Sequence, residues 1–101
     1  MKKFPKDNEN IAYVNLENID FEFELRQRQD GDTIRPFGMR GSQKLKKYLN
    51  AKKIPNHQKD NLLFLTQGEE VLWAIGLGIS DRIKIISKPT HRLQLYKKEG
   101  I

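Results

Sequence analysis

The sequence predicts a small α+β domain with a mostly antiparallel sheet and one or two short helices. Three observations support this class. Apolar and charged residues alternate through residues 19–29, apolar residues recur at helical spacing in residues 45–49, and short apolar segments separated by turn residues fill residues 62–96. A period of two is typical of a strand with one buried face, and spacings of three and four are typical of a helix. The resulting order, β-β-loop-α-(α)-β-β-β-β, indicates an α+β protein.

The size of the chain indicates one domain. Its 101 residues can bury a modest core. We expect residues 1–10 to be a tail or the remnant of a linker and residues 11–101 to form the domain.

The composition indicates the class of protein. Charged residues make up 32% and hydrophobic residues 37%, which is typical of soluble globular proteins. No apolar run approaches the roughly 20 residues that span a bilayer, and no cysteine is present, so we expect a cytoplasmic protein without a membrane segment.

The first third of the chain predicts two strands and a turn. Residues 11–16 are expected to form a short first strand and residues 19–29 a half-buried second strand. The side chains expected on the buried face of this second strand are Phe21, Phe23 and Leu25. Asp30-Gly31 is a strong turn signal, and residues 32–39 are expected to form a loop or a short irregular strand.

A helix is predicted over residues 43–52. Ser42 is a good residue to cap its start. The residues on its apolar face are Leu45, Tyr48 and Leu49. Ile54-Pro55 prevents the helix from continuing beyond this range, because a residue that precedes proline avoids the helical region. Pro55 can open a second helical turn that runs to residue 61.

Four strands are predicted in the second half of the chain. Residues 62–65 form a continuous apolar run, which suits a strand buried on both faces. A turn at residues 67–69 predicts a hairpin into a strand at residues 71–75. The last two predicted strands are residues 83–86 and residues 93–96.

Basic residues are concentrated in one block, residues 26–59. The block holds ten basic and two acidic residues, a net charge of +8, whereas the rest of the chain holds nine basic and eleven acidic residues. Such a local excess favours a polyanionic partner, either a nucleic acid or an anionic membrane surface. The alternative is a lysine-rich helix face that only solubilises the protein, and charge alone does not decide between them.

The candidate nucleic-acid contacts are arginines and lysines of this block. Arginine can bind phosphate through two parallel hydrogen bonds, and lysine offers a point charge. The residues expected to contact a nucleic acid are Arg26, Arg28, Arg35, Arg40, Lys44, Lys46, Lys47 and Lys59. Phe37 lies among them and could stack on a base, but we expect it to fill the core, as we expect of Tyr48 and Trp73. Few exposed aromatic residues favour duplex RNA, recognised by shape and phosphates, over single strands.

No catalytic constellation is recognisable. The sequence holds no GxxxxGK[ST], GxGxxG or GxSxG motif. His57 and His91 match no metal-ligand spacing. Asp30 and Asp32 could act as an acid–base pair, but we expect them to shape a turn, and Asp32 could also orient Arg35 or another basic neighbour. We therefore predict no catalytic residue, metal ligand or cofactor in this domain.

Several motifs in fixed order resemble the C-terminal domain of tRNA(Ile)-lysidine synthetase. They include "RQRQDGD", "PFGMRG", "KLKK" and "IP", followed by an acidic residue and a tryptophan-bearing strand. The residues that carry the resemblance are Arg26, Arg28, Gly31, Asp32, Pro36, Gly38, Gly41, Lys44 to Lys47, Ile54, Pro55, Asp60 and Trp73. The match covers about residues 20–80. It departs from the family pattern at Lys59, where arginine is usual, and at Leu63, which takes the place of a proline.

The resemblance implies one domain of a larger ligase. In that family the whole enzyme uses ATP with Mg to join lysine to the wobble cytidine of a minor isoleucine tRNA. The chemistry belongs to an N-terminal domain with a Ser-Gly-Gly-x-Asp-Ser loop, which this sequence lacks, so we expect an inactive fragment. The implied partners are tRNA(Ile) with a CAU anticodon, contacted at its acceptor stem, and the rest of the synthetase chain. The alternative is a basic module that binds another protein or an anionic surface.

Overall fold

The computed structural model of the protein describes residues 10–96, which form short strands with two short helices between them. The strands are β1 (Ile11–Val14), β2 (Glu24–Arg26), β3 (Thr33–Ile34), β4 (Gln43–Lys44), β5 (Phe64–Gln67), β6 (Glu70–Ala74), β7 (Gly78–Ile79) and β8 (His91–Gln94). The helices are α1 (Leu45–Ala51) and α2 (Asn56–Lys59), and a 3-10 helix covers Asp81–Ile83. The predicted α+β class is confirmed. Residues 1–9 of the expected tail and residues 97–101 of the expected domain lie outside the described residues.

The described strands form two sheets. β1 and β8 pair antiparallel with each other. The larger sheet has the order β2-β5-β6-β3-β4, and β7 also pairs with β6. Its pairings are antiparallel except that of β3 with β6, which is parallel. The hairpin between β5 and β6 turns at Gly68, whose φ of +59° is a left-handed conformation that glycine adopts at little steric cost, and this confirms the predicted hairpin.

Strand β6 is buried because it contributes to two apolar clusters. Leu72 and Trp73 pack with residues of β1 and with the 3-10 helix. Val71 and Ala74 pack with the buried residues of α1. A register shift between β5 and β6 allows two consecutive residues of β6 to join one cluster. The prediction of a strand buried on both faces at residues 62–65 is wrong, because β5 begins at Phe64 and its residues are alternately buried and half-buried.

The predicted strand over residues 19–29 is wrong in length and for two of the three side chains of its expected buried face. Only Glu24–Arg26 pair with β5. Phe21 and Leu25, expected in the core, are 61% and 45% exposed, whereas Phe23 is partly buried against the cluster that contains Leu72 and Trp73. The covered side chain is instead that of Arg26, which is 9% exposed. A charged residue can occupy this place because an acidic partner, described below, compensates it.

Helix α1 begins two residues later than predicted. Gln43 and Lys44 pair with β3 as strand β4, and Lys44 is the residue that precedes the helix. The amide of Leu45 donates to the carbonyl oxygen of Asp32 at 2.9 Å, so this contact, rather than Ser42, anchors the start of the helix. The predicted apolar face is confirmed, since the buried residues of α1 are Leu45, Tyr48 and Leu49. The second helical turn is also confirmed as α2.

The chain after β7 differs from the prediction in one element. A strand was expected at residues 83–86, but Asp81–Ile83 forms the 3-10 helix, and Ile86 is 80% exposed. The Ser80 hydroxyl accepts a hydrogen bond from the amide of Arg82 at 3.1 Å, which satisfies a free donor at the start of that helix. The final predicted strand is present as β8, two residues earlier than expected.

Candidate nucleic-acid interface

Part of the predicted basic block surrounds an open cleft of about 650 Å³. The cleft lies between the loop that follows β2 and the first turn of α1. Three of the predicted contacts, Arg28, Lys44 and Lys46, line it together. We call this surface the basic cleft. Three acidic residues, Asp30, Asp32 and Asp60, line it as well, so the pairing of their carboxylates decides how much positive charge the cleft offers.

The acidic residue that is most buried at the cleft, Asp32, is paired with Arg26. Nη1 and Nη2 of Arg26 donate to Oδ2 and Oδ1 of Asp32 at 2.9 and 2.8 Å. The same guanidinium donates to the carbonyl oxygens of Gln27 and Gly68, each at 2.9 Å. The amide of Gln29 donates to Asp32 Oδ2 at 2.8 Å. These bonds attach the loop between β2 and β3 to the β5–β6 hairpin.

Both members of this pair stay charged. Burial of Asp32 raises its pKa, but the hydrogen bonds from Arg26 and from the Gln29 amide outweigh burial and lower the pKa below the ordinary value. The hydrogen bond to Asp32 raises the pKa of Arg26. The sequence indicated that Asp32 could orient a basic neighbour, and the structure identifies that neighbour as Arg26. The two charges compensate each other, so Arg26 adds little positive charge to the cleft.

Arg28 is held more loosely, at the rim of the basic cleft. Its Nε donates to Asp60 Oδ1 at 2.8 Å, and the two side chains are 30% and 75% exposed. Exposed ion pairs of this kind contribute only about 0–1 kcal/mol to stability. A phosphate can therefore compete with Asp60 for Arg28 at small cost.

Lys59 is turned into the fold. It is 4% exposed, and its ammonium donates to the side-chain oxygens of Asn50 and Asn56, the latter at 2.9 Å. These two acceptors offset the cost of burying the ammonium and tie α2 to the end of α1. Lys59 is therefore not among the residues that present charge at the surface.

The other predicted contacts lie apart from the basic cleft. Arg35 lines a separate groove with Asp81 and Lys84. Arg40 and Lys47 are exposed, on the loop before β4 and on α1.

Asp81 is held by the turn that contains Phe37. The amide of Gly38 donates a hydrogen bond to Asp81 Oδ1 at 2.9 Å. This hydrogen bond is the main cause that lowers the pKa of Asp81.

The expectation that Phe37 fills the core is wrong, because its side chain is 65% exposed. The amide of Met39 donates to the carbonyl oxygen of Pro36 at 3.0 Å, and Gly38 has φ = +85°. This is the geometry of a tight turn with glycine at its third position, which places Phe37 at the tip. The proline and glycine on either side of Phe37 are the sequence signal that could have indicated an exposed ring.

Residues 10–96 contain neither a membrane-spanning helix nor a cluster of metal ligands. No helix in this range is long and apolar enough to cross a bilayer. No group of three or more His, Cys, Asp or Glu side chains in it is arranged to hold a metal ion.

Comparison with known proteins identifies relatives over most of the chain. The family described as "TilS substrate C-terminal domain" matches residues 23–95. The tRNA(Ile)-lysidine synthase of Caldanaerobacter subterraneus subsp. tengcongensis is 33% identical over 92 residues, which are 90% of this chain and 20% of that protein. The synthase of Parabacteroides distasonis is 34% identical over 81% of this chain and 19% of its own length, and that of Clostridium perfringens is 35% identical over 86% and 18%. The chain thus spans about a fifth of these curated relatives.

A solved structure shares the fold. It is described as "Crystal structure of TILS C-terminal domain" and superposes with a TM-score of 0.66 over 91% of this chain and 71% of that chain. Its sequence is 22% identical to this one, so the likeness shows the arrangement of strands and helices.

Proposed function

This chain belongs to the family of TilS substrate C-terminal domains of tRNA(Ile)-lysidine synthases, and from that premise we propose that it binds the tRNA on which the whole enzyme acts. The observation that carries the proposal is the basic cleft, where Arg28, Lys44 and Lys46 line one concave surface. Cations gathered in this way neutralise phosphates and release counterions, which supplies a large share of the affinity for nucleic acids.

A rigid frame supports these cations. Lys44 belongs to β4, which pairs with β3, and Lys46 lies in the first turn of α1. The loop that carries Arg28 is fixed by the buried pair of Arg26 and Asp32. Because the backbone is already ordered, binding a polyanion costs mainly the ordering of the side chains.

The composition of the cleft favours a double-helical arm of the tRNA, which we propose to be the acceptor stem. Among the described residues that line the basic cleft, none is aromatic. Proteins that bind single strands use aromatic rings on which bases stack. Duplex RNA is recognised instead through its shape and its phosphates, and the cleft offers groups for phosphates.

In this proposal, another domain of the whole enzyme carries out the chemistry. A tRNA(Ile)-lysidine synthase joins lysine to the wobble cytidine of tRNA(Ile) with a CAU anticodon, with ATP and Mg bound by another domain of the chain. The domain described here holds the tRNA and binds no cofactor of its own. Its partners are that tRNA and the remainder of the synthase, and its place is the cytoplasm, where tRNA is modified.

A binding comparison tests the proposal. Labelled tRNA(Ile), a single-stranded RNA of the same length and anionic vesicles of equal phosphate content are each titrated with the protein. We expect the folded tRNA to bind most tightly and Lys46→Ala to weaken its binding. Equal binding of the single strand would argue against recognition of a folded tRNA, and tighter binding to the vesicles would support an anionic-surface module instead.

A further inference from the structure

A second surface of the molecule presents an aromatic ring in a fixed position. Phe37 stands at the tip of the turn that Pro36 and Met39 close with a hydrogen bond of 3.0 Å. Asp81 accepts from the amide of Gly38 at 2.9 Å, which attaches the turn to the 3-10 helix. The ring is thus 65% exposed on a backbone held at two points. An exposed aromatic side chain on an anchored turn is suited to contact a ligand.

The turn forms one wall of an open groove of about 590 Å³. The apolar side chains that line this stacking groove include Pro36, Phe37, Met39, Tyr48, Leu77 and Ile79. Its charged member is Lys52, whose Nζ lies 5.4 Å from the centre of the Tyr48 ring. No acidic side chain is among the described residues that line it.

The stacking groove and the basic cleft flank the same strand. Gln43 lines the groove and Lys44 lines the cleft. These neighbours in β4 point to opposite sides, as successive residues of a strand do. Because β4 is an edge strand of the larger sheet, an RNA that passes over this edge with its phosphates in the basic cleft can also reach the groove.

We propose that the stacking groove receives an unpaired nucleobase of the bound RNA, which stacks on Phe37. This inference rests on the proposed function. Apolar walls suit the faces of a base, and bases stack on aromatic rings whatever their sequence. Lys52, the charged residue that lines the groove, suits a phosphate next to that base. The adjacent basic cleft favours RNA over a peptide as the occupant.

Two hairpin RNAs separate base stacking from charge. Both have the same stem and the same short single-stranded extension, but in one of them the extension is abasic, so the phosphates are matched. We expect the protein to bind the RNA with bases about 5-fold to 150-fold more tightly than the abasic RNA. Phe37→Ala should abolish this preference and leave both the affinity for the abasic RNA and its salt dependence unchanged.

Three further variants make the test specific. Phe37→Trp should retain the preference, because tryptophan offers a larger ring. Phe37→Leu should lose it, because leucine is apolar but has no aromatic face. The matched control is Phe21→Ala, which removes a phenylalanine that is 61% exposed outside the groove and should leave the preference intact. Urea unfolding with unchanged midpoints shows that each variant is folded.

The outcomes separate the two proposals. If the unmodified protein binds both RNAs equally, or if Phe37→Ala keeps the preference, the stacking groove does not hold a base, while RNA binding through the basic cleft stands. If the unmodified protein binds neither RNA nor tRNA, the proposed function fails and this inference fails with it.

Discussion

Arg26 donates a pair of hydrogen bonds, of 2.9 and 2.8 Å, to the two carboxylate oxygens of Asp32, and the side chains are 9% and 1% exposed. Through the carbonyl of Gly68 the same guanidinium also reaches the β5–β6 hairpin. Asp32 holds the start of α1 through its own carbonyl. The pair therefore joins three segments, and the position of the basic cleft depends on it.

Asp32→Asn should strongly destabilise the protein. The substitution keeps the shape of the side chain but removes the buried charge that pairs with Arg26, and the remaining acidic partner, Glu24, is exposed and 3.7 Å away. Breaking a buried ion pair in this way costs about 3–5 kcal/mol, and urea unfolding at pH 7 measures the change. Asp60→Asn is the matched control, and it should cost less than about 1 kcal/mol because its pair with Arg28 is exposed. Equal losses would contradict the role given to Asp32.

Stability should fall at acid pH. The pKa values of Asp32 and Asp81 are both lowered in the folded protein. Such groups stabilise the fold fully above their unfolded pKa of about 3.9, and the contribution is lost as the pH falls through the folded value. We therefore expect the free energy of unfolding to decrease as the pH drops below about 4. In Asp32→Asn this decrease should be smaller, and an unchanged acid dependence in the variant would contradict the assignment.

The two faces of α1 should respond differently to truncation. Leu49 is fully buried, so Leu49→Ala should cost about 2–5 kcal/mol of unfolding free energy. Lys47 is exposed, so Lys47→Ala should change it by less than about 0.5 kcal/mol. Chemical denaturation of both variants gives the comparison. A similar loss in the two would mean that the helix packs through a different face.

Binding of tRNA should depend steeply on salt. Lys46→Ala should reduce the slope of log K against log salt by about 1, because one phosphate contact is lost. Arg28→Lys should weaken binding although it keeps the charge, because lysine lacks the planar fork. Lys88→Ala, an exposed lysine outside the cleft, serves as the control. If it lowers the slope as much as Lys46→Ala does, the contact surface lies elsewhere.

The chain by itself should not form lysidine. It carries no Ser-Gly-Gly-x-Asp-Ser loop, the kind of turn whose backbone amides bind phosphate. Incubation with ATP, labelled lysine and tRNA(Ile) should therefore give no labelled tRNA. Incorporation of label by the pure chain would show that this domain takes part in the reaction.

The sequence alone determined the features that depend on neighbouring residues. The apolar spacing of Leu45, Tyr48 and Leu49 predicted the buried face of α1, because a helix repeats every 3.6 residues. The glycines at positions 31 and 68 predicted turns, because glycine adopts positive φ at little steric cost. Both residues have positive φ in the structure. The ordered motifs also predicted the family, which the matched residues 23–95 confirm.

The tertiary structure decided which charged and aromatic side chains are buried. Alternation in residues 19–29 predicted that Phe21 and Leu25 face the core, yet only three residues of this segment pair with β5, and Arg26 occupies the covered place. Lys59 is buried because Asn50 and Asn56 supply acceptors, while Phe37 is exposed because its turn is attached to Asp81. The physical reason is that burying a charge is costly unless a partner compensates it, and those partners are brought into place by contacts between distant elements of the fold.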